Sequence, residues 1–261
     1  MRNPTDSQAT AGPAPDAEAR ANAAEAELEA QLRQQHALSQ GLAHDLRAPL
    51  RAIDSFAALA GQHASGIDDA GRDYLQRIRD SAARMGAMLD SLQELSSAGR
   101  APLRFEQVDL SMLAEWVGAE LQDAHPGRAA QIQVRPGLSV QGDEHYLKRM
   151  LAQLMDNAWK FSASRERVEI DVEGEQIGEI VHLRVRDRGI GFDMQYSGKL
   201  FEPFQRLHGV DEGAGAGLGL VIAQCIAQRH RGRIHAESVV DVGSVFHIEL
   251  PAMQEGAPSD G

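Results

Sequence analysis

A seven-residue spacing governs the first hundred residues of the chain. Apolar or small residues recur at Leu28, Leu32, Gln35, Ser39, Leu42, Leu46, Pro49, Ile53, Phe56 and Ala60, alternately four and three positions apart. That is a heptad seam, a narrow apolar stripe along one side of a helix. Gln35, Ser39 and Pro49 weaken it locally. Gly61 to Gly71, with three glycines and two aspartates, reads as a loop. A second run then repeats the spacing at Tyr74, Ile78, Ser81, Met85, Met88, Leu92 and Leu95. Two helices joined by a short loop make an antiparallel hairpin. One hairpin cannot bury two narrow seams, but two hairpins can, as a four-helix bundle. The spacing therefore predicts a homodimer.

Around this hairpin the composition changes twice. Residues 1–16 are rich in Pro, Ala, Thr, Ser and Asp and are expected to be disordered. From Ala17 strong helix formers dominate, so 17–100 reads as a coiled-coil lead-in followed by the hairpin. Pro102 marks a linker. Beyond it, 101–251 shows mixed periodicity. Strands are expected at Phe105–Leu110, Ile132–Val134, Leu138–Val140, Val168–Val172, Val181–Val185, Arg233–Ala236 and Ser244–Leu250. Helices are expected from an N-cap at Ser111 to about Ala124, from Glu144 to about Phe161, and from Leu218 to about His230. Helices packed on one face of a mixed sheet give an α+β sandwich. The Gly-rich stretch Gly189–Gly217 is too long for an ordinary connection and reads as a lid. Residues 252–261 are expected to be a disordered tail.

The net charge of −12 argues against a duplex-DNA binder, which needs a basic face, and no nucleic-acid partner is expected. The single cysteine, Cys225, excludes an internal disulfide and reads as a small packed residue. The start of the chain has no secretory pattern, and Ala216–Ala227 is too short to span a bilayer. A soluble, cytoplasmic protein with no membrane contact is expected.

Several residues carry chemistry. His44 lies two positions past the seam residue Leu42, pointing away from the bundle axis. Asp45 beside it is placed to hold one ring nitrogen and orient the other, and a neutral imidazole nitrogen accepts phosphoryl groups near neutral pH. Pro49 interrupts helix hydrogen bonding just beyond, a defect worth about 3 kcal/mol that the seam does not need. It reads as a built-in bend. On the Glu144 helix, Asn157 offers a neutral oxygen suited to Mg2+, and Lys160, three residues on, suits phosphate. Asp187 ends an apolar strand and is placed to accept an adenine amino proton, while Gly189 and Gly191 let backbone approach a flat base. Arg206 and Lys199 are placed to neutralise phosphate charge. Gly213, Gly215, Gly217 and Gly219 alternate with small residues and open a helix, a natural phosphate cradle.

The segment His44-Asp45-Leu46-Arg47-Ala48-Pro49-Leu50 resembles the H-box of two-component sensor histidine kinases, in particular the phytochrome-like subgroup. The later motifs resemble that family's boxes in its order. Asn157 to Lys160 is similar to the N-box and Asp187 to Phe192 to the G1 box. Leu200 to His208 is similar to the F-box, with Phe201 and Phe204 as packing anchors. Gly213 to Gly219 is similar to the G2 box, and Gly243 to Phe246 to the closing glycine box. The resemblance covers about 35–251. It implies a Bergerat-type (GHKL) ATP-binding domain, with ATP and Mg2+ as cofactors and Asn157 as the metal ligand. It further implies nucleotide contacts at Lys160, Asp187, Gly189, Gly191, Arg206, Gly215, Gly217, Leu218 and Gly219. His44 would be the phosphorylation site, Asp45 its catalytic neighbour, and an aspartate on a response regulator receiver domain the final acceptor.

Two positions depart from the family pattern. Gln153 stands where the family has Asn and related ATPases have Glu, so simple ATP hydrolysis is expected to be slow. Ala48 stands where members that dephosphorylate their partner carry Thr or Asn, so weak phosphatase activity is expected. Two rival readings remain: a degenerate kinase serving as a dimeric ATP-binding scaffold, and other ATP chemistry on the same fold.

Overall fold

The computed structural model describes residues 46–47, 49–62, 66–205 and 217–252. The lead-in coil, the N-terminal segment and the tail beyond Ala252 lie outside these residues. Helix α1 is described at 49–62, and 46–47 are also helical, so helix is assigned on both sides of the Pro49 step. Helix α2 (Asp69–Ala98) begins earlier than the glycine spacing implies. Asp68 caps it by accepting a hydrogen bond from the Gly71 amide at 2.8 Å, so Gly71 lies in the first helical turn and not in the loop.

Between them, α1 and α2 bury Ala57, Ala82 and Leu89. Arg79 reaches Asp54 across the pair at 3.0 Å, and Arg47 bonds both Asp90 and Gln93. Most of the seam read from sequence stays uncovered. Phe56 is 70% exposed and Tyr74 65%, and Leu46, Ile53, Leu59, Ile78 and Met85 are exposed beside them. The buried positions Ala82, Leu89 and Ser96 recur every seven residues on the neighbouring stripe.

The second unit contains two sheets. Strand β1 (Glu106–Asp109) pairs antiparallel with β3 (Ser139–Gly142). Strands β2 (Ala130–Val134), β4 (Val168–Ile177), β5 (Ile180–Asp187), β6 (Arg233–Val239) and β7 (Gly243–Pro251) form a mixed sheet in the order β2-β4-β5-β7-β6. Only β2 and β4 run parallel, and the connection between them carries α4 (Glu144–Phe161), as a parallel pair requires a crossover. Strand burial alternates strictly, BiBiBiB along the start of β4, so one sheet face is apolar and the other faces water.

Helices α3 (Leu110–Ala124), α4 and α5 (Gly219–Arg229) cover the apolar face. Leu147, Met150, Leu151, Leu154 and Met155 of α4 are fully buried at the centre. The cap of α3 differs from the sequence expectation. Asp109 accepts from the Met112 amide at 3.0 Å, so the helix starts before Ser111. Ser111 is instead buried, donating to Arg135 O and accepting from the Leu138 amide, which ties α3 to the turn before β3. The Gly-rich stretch is also not wholly irregular, because Asp193 caps a 3-10 helix over Met194–Lys199. Ala252 belongs to the fold rather than the tail: its amide donates to Glu179 O at 2.8 Å.

Helix α5 also reaches the hairpin. Arg229 donates to Ala98 O (2.7 Å) and Ala101 O (2.6 Å), satisfying carbonyls that the end of α2 leaves unpaired. Cys225 is half-buried, with Gly99 nearby, and burial raises its thiol pKa, as suits a packing role. No helix among the described residues is long and apolar enough to cross a membrane.

Truncating Leu154, fully buried on α4, leaves a cavity under the sheet. Leu154→Ala should lower unfolding stability by about 2–5 kcal/mol in urea titration. A loss below about 1 kcal/mol would show that the centre of this core lies elsewhere.

Candidate functional site

Helix α4 organises the candidate site. Its apolar side is committed to the sheet, which turns Gln153, Asn157 and Lys160 toward the opposite, half-buried side. Asn157 makes no side-chain hydrogen bond to any described residue. A half-buried amide without a partner among the described residues offers an oxygen donor, the chemistry that a hard cation seeks. Lys160 forms an ion pair with Asp156 one turn back. Asp156 was not singled out in the sequence, since a lone helical acid carries no signal of its own.

Asp187 ends β5 and is 4% exposed. Its Oδ1 accepts from the Gly189 amide at 2.8 Å and the Ser244 amide at 3.2 Å. Burial pushes its carboxyl up to about 6, against those two backbone donors, which pull it down. Ser244 comes from the closing glycine box, so the last strand backs the Asp187 carboxyl.

The loop after Asp187 is clamped on two sides. An added Cβ at Gly189 would sit 2.5 Å from Phe161 O, and the Ile190 amide donates to that same carbonyl at 3.0 Å. Gly191 has φ +60°, and a Cβ there would lie 2.1 Å from Val239 O. Both glycines therefore answer to close backbone approach within the protein, at the end of α4 and at the end of β6. Asp241 N donates to Ile190 O (2.7 Å) and Phe192 N to Ser238 Oγ (2.8 Å), fixing the loop against the β6–β7 turn. Arg165 adds bonds to Gly189 O and Asp241 O. Arg165 and Ser238 are scaffolding that no motif revealed, because their partners are backbone carbonyls and amides far away in sequence.

Leu218 is the N-cap residue of α5, fully buried, and makes no side-chain cap. Anything it offers a ligand is backbone. Gly219 opens the helix against α4, where a Cβ would meet Gln153 Oε1 at 2.6 Å. Gln153 in turn donates to Glu94 of α2 at 3.3 Å, and Glu94 also pairs with Arg149 at 2.7 Å. The Phe204 amide donates to Gly217 O at 3.0 Å, closing the base of the Gly-rich loop. Gly189 and Gly219 thus pack against α4, which carries Asn157 and Lys160, while Gly191 meets Val239 and Gly217 meets Phe204. His44, Asp45, Ala48, Arg206, Gly213 and Gly215 lie outside the described residues.

A family profile described as the phospho-acceptor His Kinase A domain matches 34–101, and one described as Histidine kinase-, DNA gyrase B-, and HSP90-like ATPase matches 142–254. The chain belongs to the two-component sensor histidine kinases. Among curated relatives, cyanobacterial phytochrome A from Nostoc sp. is 28% identical over 209 residues, 80% of this chain and 27% of the relative. Sensor histidine kinase TrcS from Mycobacterium tuberculosis is 31% identical over 218 residues, 81% of this chain and 43% of the relative. Full-length ShkA, solved in complex with AMPPNP, superposes with a TM-score of 0.61 at 25% identity, over 86% of this chain and 47% of that one. The chain thus spans less than half the length of these relatives. It contains a histidine kinase core: the helical phospho-acceptor hairpin followed by the GHKL-type sandwich.

The raised carboxyl of Asp187 carries a stability signature. Its folded pKa, about 6, exceeds the ordinary value of 3.8, so the associated stability is full below about pH 4 and is lost as pH rises through about 6. Asp187→Asn, neutral throughout, should therefore be more stable than wild type at pH 7.5 by about 2–3 kcal/mol, with the gap shrinking toward pH 4. Urea unfolding at several pH values reads this directly. A gap that does not change with pH would contradict the assignment.

Proposed function

We propose that this chain autophosphorylates His44 with Mg-ATP and passes the phosphoryl group to an aspartate on a response regulator receiver domain. The observation that carries this reading is the placement of Asp187: a buried carboxylate whose Oδ1 is held by two backbone amides, leaving Oδ2 as the acceptor for an adenine amino group. The ATP analogue bound to ShkA supports the same ligand class here.

In this reading the glycine loop at Gly189–Gly191 walls the base, and the uncapped amides at Leu218 and Gly219 face the phosphates. Gly215, Gly217 and Arg206 complete the cradle, and Lys160 exchanges Asp156 for phosphate. Asn157 would hold Mg2+, which when bound neutralises charge on the phosphate oxygens. The far ring nitrogen of His44 attacks the γ-phosphorus in line. An N–P bond forms, the bond to the β,γ-bridging oxygen breaks, and ADP leaves with that electron pair. Asp45 holds the near nitrogen and raises the nucleophilicity of the ring. The catalytic domain moves about the Pro102 linker to reach His44. Because the described residues hold Arg229 on the end of α2 and Glu94 on Gln153 and Arg149, that movement must first break these contacts.

The homodimer rests on the uncovered stripe of Phe56, Tyr74, Ile78 and Met85. A continuous apolar stripe of this kind marks an interface, and the same stripe on a second copy completes a four-helix bundle. A cytoplasmic location fits an ATP-dependent donor.

Incubation with γ-labelled ATP should give an acid-labile, base-stable label that is absent from His44→Gln and Asn157→Asp. An acid-stable label would sink the proposal. Mg-ATP binding without any label would favour the degenerate-scaffold reading instead. In sedimentation, the wild type should be dimeric, and the double variant Phe56→Glu/Tyr74→Glu should dissociate into monomers that retain nucleotide binding. A dimer unaffected by both charges would move the interface elsewhere.

A further inference from the structure

The water-facing side of the sheet holds a second constellation, remote from α4 and unused by phosphoryl transfer. His235 on β6 and His247 on β7 are direct cross-strand partners in the antiparallel register. Glu237 lies two residues beyond His235 and so shares its face. The two imidazoles stack with centroids 4.6 Å apart and planes within 3° of parallel. One ligand atom from each of His235, Glu237 and His247 lies within 4.8 Å of the other two.

The stack leaves a polar atom unserved. Nε2 of His247 is shielded from solvent and has no hydrogen-bond partner among the described residues. The nearest acid, Glu237 Oε2, stands 3.6 Å away, too far for a hydrogen bond. A shielded ring nitrogen without a partner is costly and uncommon. Cross-strand histidines are also not drawn together by any apolar core, because this face is the polar one. Beside them lies a depression of about 170 Å³, bordered by His182, Arg184 and Glu249 as well as the two histidines, with room for an ion and its water. Arg184, the cross-strand partner of His247 on β5, is the positive group beside it, and its guanidinium pairs with Glu173 at 3.3 Å and Glu175 at 3.9 Å.

We propose that His235, Glu237 and His247 bind a divalent transition-metal ion of the Zn2+ class, with water as the fourth ligand. Two imidazoles and a carboxylate match the donor preference of such ions, and three protein ligands with one open position is a familiar Zn2+ arrangement. Ligands about 2.0–2.2 Å from one ion must converge within roughly 4 Å of one another. Rotation of the exposed His235 and Glu237 side chains supplies that closure without moving backbone. Mg2+ does not fit, because it seeks an oxygen shell. The ion would staple β6, the sheet's edge strand, to β7.

The test is calorimetric titration of the nucleotide-free full chain with ZnCl2, with MgCl2 as the comparison. One Zn2+ equivalent should bind that Mg2+ does not replace. The unfolding midpoint should rise by roughly 5 °C at about a hundredfold excess over Kd. His235→Ala and Glu237→Gln, both at exposed positions where circular dichroism should show an unchanged fold, should each weaken that equivalent by roughly ten- to a hundredfold. Absence of Zn2+ binding by the wild type, or full affinity retained in His235→Ala, would overturn the proposal. Neither outcome touches the kinase reading, which is tested by labelling in Mg-ATP.

Discussion

The packing of α4 against the sheet is the interaction on which the rest depends. Leu147, Met150, Leu151, Leu154 and Met155 are all fully buried, so the helix can sit in only one rotation. That rotation decides where everything polar on it points. Asn157 and Lys160 emerge on the open side, Gln153 meets the start of α5, and the last carbonyls receive the loop after Asp187. A turn of the helix by one residue would bury the amide of Asn157 and expose a leucine, each unfavourable by a few kcal/mol. The nucleotide chemistry thus inherits its geometry from an apolar contact in which no functional residue takes part.

The sheet divides the labour between its two faces. The inner face is continuous with the core, and its strand ends deliver Asp187 and Ser244 to the same point from neighbouring strands. The outer face carries His235, Glu237, His247 and Glu249 on β6 and β7, which is why three ligating groups can converge there without disturbing the core. The hairpin meets the sandwich through apolar packing of Leu92, Leu95 and Ala98 of α2 against the core and through specific polar contacts. Arg229 on the carbonyls at the end of α2, and the Glu94 link to Gln153 and Arg149, are polar and partly exposed. The polar contacts set the orientation, and the apolar packing adds to what must be given up when the two units separate.

Much of this was legible in the residues. The seven-residue spacing shows the hairpin, the 144–161 periodicity shows α4 with both ends correct, and alternation shows the strands. Where the reading slipped, local side-chain chemistry overrode spacing. Asp68 and Asp109 out-compete Gly71 and Ser111 as helix starts because each carboxylate reaches an unpaired amide in the first turn. The seams are too narrow for one hairpin to bury, and Phe56, Tyr74, Ile78 and Met85 on them stay exposed. The buried positions Ala57, Ala82 and Leu89 are not seam residues, and spacing alone did not point to them. Periodicity marks an apolar stripe without naming what covers it.

The sequence by itself determined the residue types for phosphoryl chemistry, their order along the chain, and which helices and strands carry them, because those depend on short-range period and capping. Only the tertiary structure decided the rest. It raised Asp187 above an ordinary carboxylate by burying it, and it assigned Gly189 and Gly191 to backbone contacts at Phe161 and Val239. It also brought His235 and His247 face to face across two strands. The reason is common to all three. Burial, close approach and cross-strand register are set by residues distant in the chain, and no local pattern encodes a neighbour that arrives only when the sheet closes.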